Sequence, residues 1–518
     1  MAAPAPDLER FRLRAFVERL VETGEATVHD DPIDPIDIAT VLDGNPRAVW
    51  FRNAGPEGAE LVGGVTGSRA RIAAGFDCSP EELLALVLER LATPRELVEI
   101  GRGEAPVQTV VLTGEDADLT KLPVHLQHAL DGGPYISSSL DHVRDPETGL
   151  TNLGCRRMMV RGRREAGVDL NAPSDLKAIY ERAAARGETL PVSFVVGAHP
   201  TDHVAASMRL PMDELELIAR LRGAALGIVK SVTGDVMVPA DAEMVLEGYL
   251  DARGHVEAEG PYGEFLGYYG VMKRNPVFHL EAITMREDAL FQTSTISGRE
   301  IRHTETAQIN ALRVEATLWR ALETAIREPV AVCASPASGG SFNVRIAMRQ
   351  RVPGEARNAI AAAFGSLANT KNVFVVDEDI DVFSDSQIDW ALATRFQPDR
   401  DLVIESGFRA LPLDPSLGGV RTGSKAGYDL TRPFGGPPPL YFTVPDAPSA
   451  EGDGERFDSV EAALADGPRT FGALVAALGS RDGREVALAL DEIRRRGRLD
   501  RLEDGAYALA ADGSGGDS

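Results

Sequence analysis

Cysteine is scarce in this chain: Cys78, Cys155 and Cys333 are the three in 518 residues, odd in number and far apart. That excludes a disulfide framework, and no two of them have zinc-ligand spacing. Basic residues are also short: Lys and Arg number 54 against 79 Asp and Glu, a formal charge of -25. A free-standing nucleic-acid binder needs a basic face against phosphate, so that class is set aside. The acidity reads instead as a solvated surface that keeps a large homo-oligomer soluble. No run approaches the ~18 apolar residues of a membrane span. The N-terminus opens on Ala, Pro and acidic residues, without the basic and apolar regions of a signal peptide. These absences predict a soluble cytoplasmic protein with no membrane partner. Fixed-period repeats, a G-x-G-x-x-G loop and a Walker motif are missing as well.

What is present is enough apolar sequence, 43%, for large buried cores; the length suits three or four domains at ~100–200 residues each. Residues 1–110 read as mixed α/β, with helical spacing through Leu13, Phe16, Val17 and Leu20 and again through Leu83, Leu84, Val87 and Leu91. From 111 to 303 short apolar runs separated by Gly, Pro and Asp predict a β-barrel or sandwich. Its strands include Tyr135–Val143, Asn152–Val160, Val192–Val196, Met244–Tyr249, Val277–Ile283 and Leu290–Thr295, interrupted by helices at Ser174–Arg186 and Met212–Leu221. A connecting helix is expected over 304–326 and an α/β layer domain over 327–446. The Pro-, Gly- and acid-rich stretch Ala447–Glu455 reads as a linker. Residues 456–511 then give three helices and a hairpin turning at Asp504-Gly505, the outline of a winged helix. Arg494, Arg495, Arg496 and Arg498 give this extension a basic edge, and a packing or oligomerisation module is the reading preferred over DNA binding.

Three constellations carry possible chemistry. Glu259 and Glu264 bracket a Gly-Pro-Tyr-Gly turn. In a regular strand an odd spacing separates side chains onto opposite faces, but Pro and Gly break that rule and allow both carboxylates into one cavity. Converged carboxylates push their pKa values apart, as a proton-transfer site requires; an acidic surface turn is the bland alternative. Arg157 stands on an apolar run, either snorkelling outward or pairing with buried carboxylates such as these two. Glu214, on the helix candidate Met212–Leu221, is either part of a solvated face or an oxygen ligand for a hard cation.

In order along residues 100–440, these and other motifs resemble the UbiD-type decarboxylases, which use prenylated FMN. The resemblance is carried by Asp131-Gly-Gly-Pro-Tyr135, the pair Asn152 and Arg157, Leu190-Pro-Val192, Ala206-Ser-Met208, Leu221-Arg-Gly223 and Val245-Leu-Glu-Gly248. It continues through Glu259-Gly-Pro-Tyr-Gly-Glu264, Asp377-Glu-Asp379, Trp390–Arg395 and Gly423-Ser-Lys425. It implies a flavin-reductase-like split β-barrel flanked by α/β domains, and non-oxidative, reversible decarboxylation of an aromatic, heteroaromatic or α,β-unsaturated acid. It further implies that Glu259, Arg157 and Glu264 form a catalytic network, with Glu264 as proton donor and Arg157 holding the substrate carboxylate and tethering Glu259. Asn152 and Glu214 match ligands of a manganese ion, replaceable by magnesium, that binds the flavin phosphate; potassium is a further ion in the same picture. Lys425 matches a basic residue near the cofactor, and Ser207 and Met208 its backbone cradle. Where the family often has a histidine ligand this chain has Asp175, which is either a third ligand or the first-turn acid of its helix. A flavin prenyltransferase is the implied source of cofactor.

Losing carbon dioxide from an sp2 carbon calls for an electron-accepting cofactor, with the protein supplying orientation, a dry pocket and one proton. A pocket wall is expected at Gln292–Thr295 and Arg299, a polar mix that suits a heteroaromatic or hydroxylated acid. Two other classes compete: a ligand-sensing regulator that uses the winged-helix-like segment, and an oxidoreductase using plain FMN.

Overall fold

Strand-forming runs between residues 110 and 285 fold back on one another rather than spreading into an open sheet. The structure is a computed structural model that describes residues 6–366, 369–435, 440–445, 447 and 456–510. In it, Tyr135–Arg144 pairs with Thr151–Val160 on one side and Leu190–Val196 on the other. Leu190–Val196 continues to Met244–Leu250, and that strand to Val277–Met285. Glu165–Val168 then joins Val277–Met285 back to Thr151–Val160. Every pairing is antiparallel and the six strands form a closed circuit, with Val110–Thr113 added to Val277–Met285 as a seventh. Ile136, Met158, Phe194, Leu246 and Phe278 are fully buried in one cluster, Phe194 and Phe278 meeting edge to face at 5.0 Å. Each such side chain contributes about 1.5–3 kcal/mol of burial.

The circuit carries a bulge where the chemistry lies. Ile136 pairs with Met158, and the next partners are Ser139 and Arg156. Ser137 and Ser138 together therefore oppose Arg157, a geometry that re-aims side chains and sharpens local twist.

Two helices close over one side of Thr151–Val160. Glu214–Arg222 begins at Asp213, whose Oδ1 accepts from Leu215 N at 2.9 Å, and ends at Gly223 with φ 70°. Pro200–Ser207, unmarked by any apolar period, packs with it through Val204, Leu215 and Ile218 onto Leu153. The expected helix at Ser174 is Asp175–Ala185, with Ser174 as N-cap. The connecting helix is Glu305–Leu322, one turn shorter than expected.

Beyond it, a five-stranded mixed sheet runs Pro329–Ala334, Asn343–Met348, Asn372–Asp377, Thr422–Asp429, Leu402–Arg409. Val314, Leu318, Ile346, Ile360 and Phe364 pack on one face, and Val376, Ile388 and Ala391 on the other. Near the N-terminus, Ala26–His29, Ala48–Ala54, Ala59–Gly63 and Phe291–Gln292 make a four-stranded sheet. The expected strand Leu290–Thr295 is thus cut to two residues. The cause is local: Ser294 N is taken by Ser137 Oγ at 2.9 Å instead of a neighbouring backbone.

The chain divides into two units, Met1–Thr431 and Arg432–Ser518. The second has helices Val460–Asp466, Phe471–Leu478 and Arg484–Arg495 and the hairpin Leu499–Arg501 with Tyr507–Leu509, closed around Val460, Leu464, Leu474, Val486 and Ile493. Its basic edge is internally matched: Arg494 and Arg495 pair with Asp491, and Arg496 and Arg498 with Glu461. The linker expected at Ala447–Glu455 lies, past Ala447, outside the described residues. Among the described residues no helix is long and apolar enough to cross a membrane.

Candidate active site

The turn between Glu259 and Glu264 is held by close backbone approach. Gly132 N donates to Pro261 O at 2.8 Å, and a Cβ on Gly132 would stand 2.2 Å from Gly260 O. Asp131 Oδ1 accepts from Gly263 N at 3.0 Å, and a Cβ on Gly263 would strike the His128 ring at 2.5 Å. Glycine is the residue that fits at both places. So clamped, the two carboxylates converge, on a cation rather than on each other. Arg157 Nε donates to Glu259 Oε1 at 3.0 Å and Nη1 to Glu264 at 3.2 Å. Its guanidinium lies 4.5 Å from the Tyr262 ring centre.

Sequence reasoning missed three partners in this network. Asp169 Oδ2 meets Arg157 Nη2 at 2.8 Å. Lys273 Nζ donates to Glu264 Oε1 at 3.0 Å and to Asp169 Oδ2 at 3.3 Å. Tyr135 OH donates to Glu259 Oε1 at 3.0 Å. Burial pushes the Asp169 carboxyl up, but Arg157 and Lys273 more than offset it and hold it at about 2. Burial and the adjacent Glu259 push the Tyr135 phenol well above its ordinary value, so it stays a donor. No sequence spacing announces Asp169 or Lys273; strand pairing brings them in.

The second group stands at the start of the strand that carries Arg157. Asn152 Nδ2 donates to Glu214 Oε2 at 2.9 Å, and Leu153 N donates to the same oxygen. Burial pushes Glu214 up to about 7, with Asp141 and Asp175 adding like charge. Asp175 is therefore near Glu214 as well as in the first turn of its own helix. Asn152 Oδ1 is buried without a hydrogen-bond partner. An orphaned amide oxygen beside a desolvated carboxylate suits a hard cation, which would supply the missing partner. Among the described residues no three His, Cys, Asp or Glu side chains gather as a metal cluster, so the donor set depends on the amide.

Between the two groups stands the exposed Cys155, its thiol 3.9 Å from His203 O. Ser207 and Met208 end the helix beside it, Ser207 Oγ donating to Val204 O and Met208 buried with Leu153. Lys425 keeps other company: its ammonium donates to Phe364 O at 2.6 Å near the Phe408 ring, and burial lowers its pKa.

A cavity of about 430 Å³ adjoins the network through Tyr262, whose OH donates to Gln127 at 2.8 Å. His125, Gln127, His128, Ser294 and Thr295 line it. Of the expected wall, Ser294 and Thr295 are there. Gln292 is buried and bonded to His203, Thr293 bonds His125 at 2.9 Å, and Arg299 is exposed outside the lining.

Three family profiles match in chain order. They are the N-terminal domain of 3-octaprenyl-4-hydroxybenzoate carboxy-lyase over 17–91, its Rift-related domain over 98–300 and its C-terminal domain over 307–430. The chain belongs to the UbiD family. This UbiD carboxy-lyase is 30% identical over 425 residues to the anhydromevalonate phosphate decarboxylase of Methanosarcina mazei, covering 81% of this chain and 96% of that protein. The UbiD-class enzyme HmfF of Pelotomaculum thermopropionicum, solved in complex with FMN, is 31% identical with a TM-score of 0.79, over 84% of this chain and 97% of that one. The vanillic acid decarboxylase of Sedimentibacter hydroxybenzoicus, in open form, is 28% identical with a TM-score of 0.77, over 85% and 96%. The mixed α/β fold is that of these UbiD enzymes.

Proposed function

We propose that this UbiD carboxy-lyase decarboxylates, reversibly and without net oxidation, an unsaturated or aromatic acid with polar substituents, using prenylated FMN. The observation that carries the reading is Arg157 gripped between Glu259 and Glu264 beside a cavity of mixed polar and apolar lining and of suitable size for a small acid. The names of the two decarboxylase relatives, one acting on anhydromevalonate phosphate and one on vanillic acid, are consistent with an oxygenated acid and leave both branches open.

Asn152, Glu214 and Asp175 would hold a divalent ion, manganese or magnesium, against the flavin phosphate; Ser207, Met208 and Lys425 are assigned to the cofactor's neighbourhood on the family resemblance. The flavin, when bound, supplies the electron sink that makes loss of carbon dioxide from an sp2 carbon feasible. The protein's own residues do the rest. Arg157 orients the substrate carboxylate, and Glu259 with Tyr135 fixes the guanidinium. Glu264 gives its proton to the carbon that has lost carbon dioxide, and solvent returns one proton per turnover.

We read the strand circuit as the flavin-reductase-like split barrel and the second unit as a winged-helix-like packing module of a homo-oligomer. The pairing of its four arginines with Asp491 and Glu461 weighs against a DNA-binding regulator. The test is co-expression with a flavin prenyltransferase, followed by the absorbance spectrum, the mass of the released cofactor and carbon dioxide release from hydroxybenzoic, vanillic and unsaturated phosphorylated acids. Release of plain FMN with no carbon dioxide from any acid would overturn the reading.

A further inference from the structure

Glu264 has a second cation besides Arg157. Lys273 begins the strand Lys273–Asn275, which pairs antiparallel with Glu257–Glu259 so that Lys273 lies opposite Glu259. Its ammonium reaches past that partner to Glu264 Oε1 at 3.0 Å and Asp169 Oδ2 at 3.3 Å. Arg157 completes the figure, meeting Glu264 at 3.2 Å and Asp169 at 2.8 Å. Two cations and two carboxylates thus alternate around a closed ring, with Glu259 attached to its outer side through Arg157. Facing Glu264 are Arg157 from the strand Thr151–Val160, Lys273, Asp169 just past Glu165–Val168, Glu259, and Asp131 and Tyr262 at the turn; of these, Arg157 and Lys273 are the cations.

The ring has a consequence for the donor role. When Arg157 takes a substrate carboxylate, part of its charge is withdrawn from Glu264. Lys273 then keeps the carboxyl in place. A cation at this range favours the ionised form of a carboxylate.

We propose that Lys273, braced by Asp169, is a positioning residue of the decarboxylation that aims Glu264 and sets the pH range over which Glu264 carries its proton. This rests on the reading of Glu264 as proton donor.

The experiment compares the wild type, Lys273→Met, Lys273→Arg and Asp169→Asn, each loaded with prenylated FMN. In Lys273→Met, kcat falls by about tenfold or more while KM changes little. The alkaline limb of its kcat–pH profile moves up by about one pH unit or more, because the carboxyl keeps its proton longer without the ammonium. Lys273→Arg restores the wild-type profile. Asp169→Asn frees positive charge toward Glu264, and the limb moves down. A readout without turnover accompanies these: pH-difference infrared spectra of flavin-free protein, the Glu264 acid band being identified by its loss in Glu264→Gln. Its midpoint rises in Lys273→Met. An unmoved midpoint together with an unmoved limb overturns the inference, as does the same direction of movement in Lys273→Met and Asp169→Asn. Should Lys273→Met not fold, Lys273→Arg and Asp169→Asn still decide through their limbs and bands. Should the wild type decarboxylate nothing while the band moves as stated, the proposed reaction falls and the coupling of Lys273 to Glu264 stands.

Discussion

Replacing Arg157 with methionine removes the charge that three carboxylates share while keeping a side chain long enough to lie on Tyr262. The guanidinium meets Glu259 at 3.0 Å, Glu264 at 3.2 Å and Asp169 at 2.8 Å. In Arg157→Met those three carboxylates are left with Lys273 alone, and Glu259, 1% exposed, has no other cation paired with it among the described residues. Stranding a buried charge in this way costs about 3–5 kcal/mol of unfolding free energy. The pH dependence has a definite sign. Burial pushes Asp169 up, but Arg157 and Lys273 prevail and hold it at about 2. A folded value below the unfolded one, near ~3.9, gives stability that is complete above the unfolded value and lost as pH falls through the folded one. For Asp169 that amounts to roughly 2–3 kcal/mol, and most of it depends on Arg157. The gap in stability between wild type and Arg157→Met is therefore widest above about pH 4 and narrows toward about pH 2. Urea unfolding of flavin-free protein, followed by tryptophan fluorescence across that range, measures it. The double variant Arg157→Met/Asp169→Asn should regain about 1 kcal/mol or more over Arg157→Met, since it deletes a stranded charge. A pH-independent gap, or a double variant weaker than the single one, would refute the reasoning.

Glu264→Gln should lose at least ~100-fold in turnover yet keep its fold and flavin, because Arg157 retains Glu259 and Asp169 and Lys273 retains Asp169; wild-type turnover would remove Glu264 as donor. Asn152→Ala and Glu214→Ala should each lose metal and flavin together, and elemental analysis showing full metal in either rejects the site. Asp175→Ala should behave like them if its carboxylate is a ligand, and like wild type if it serves only its helix. Truncation after Ala447 should leave cofactor loading and activity intact while changing size-exclusion behaviour; a folded, loaded but inactive product would make the second unit part of catalysis.

Where an apolar run is bounded by turn residues, or a helix by a capping side chain, the sequence announced the element. The runs at Tyr135, Asn152, Met244 and Val277 gave strands within a residue or two of their ends, and Ser174, Asp213 and Thr304 cap the helices that follow them. Thr422–Asp429 was illegible because Thr-Gly-Ser-Lys-Ala-Gly-Tyr-Asp has little strand character of its own. It is a strand because Asn372–Asp377 and Leu402–Arg409 pair with it on either side. Pro200–Ser207 was missed because nearly every residue in it is buried, so no polar face marks a helical period. At the site, Glu259, Glu264 and Arg157 were visible through their motifs. Asp169 and Lys273 were not, since what recruits them is register: Gly167 opposite Val277, and Lys273 opposite Glu259. Two residues joined only by the pairing of distant strands leave no local trace.

The closed strand circuit also acts as a gauge. Asn152 and Arg157 are fixed on one strand, five residues and about 16 Å apart; the strand is hydrogen-bonded along that span to Tyr135–Arg144, and at its end, Met158–Val160, to Glu165–Val168 as well. Held by one neighbour along its length and by the other at its end, it cannot slide without breaking pairing to both, and a slip of one residue would turn every side chain to the wrong face. The separation between these two positions is thus set by strand pairing rather than by any single side-chain contact. Insertions in the hairpin between Arg144 and Thr151, or in the segments lining the neighbouring cavity, leave that measure untouched.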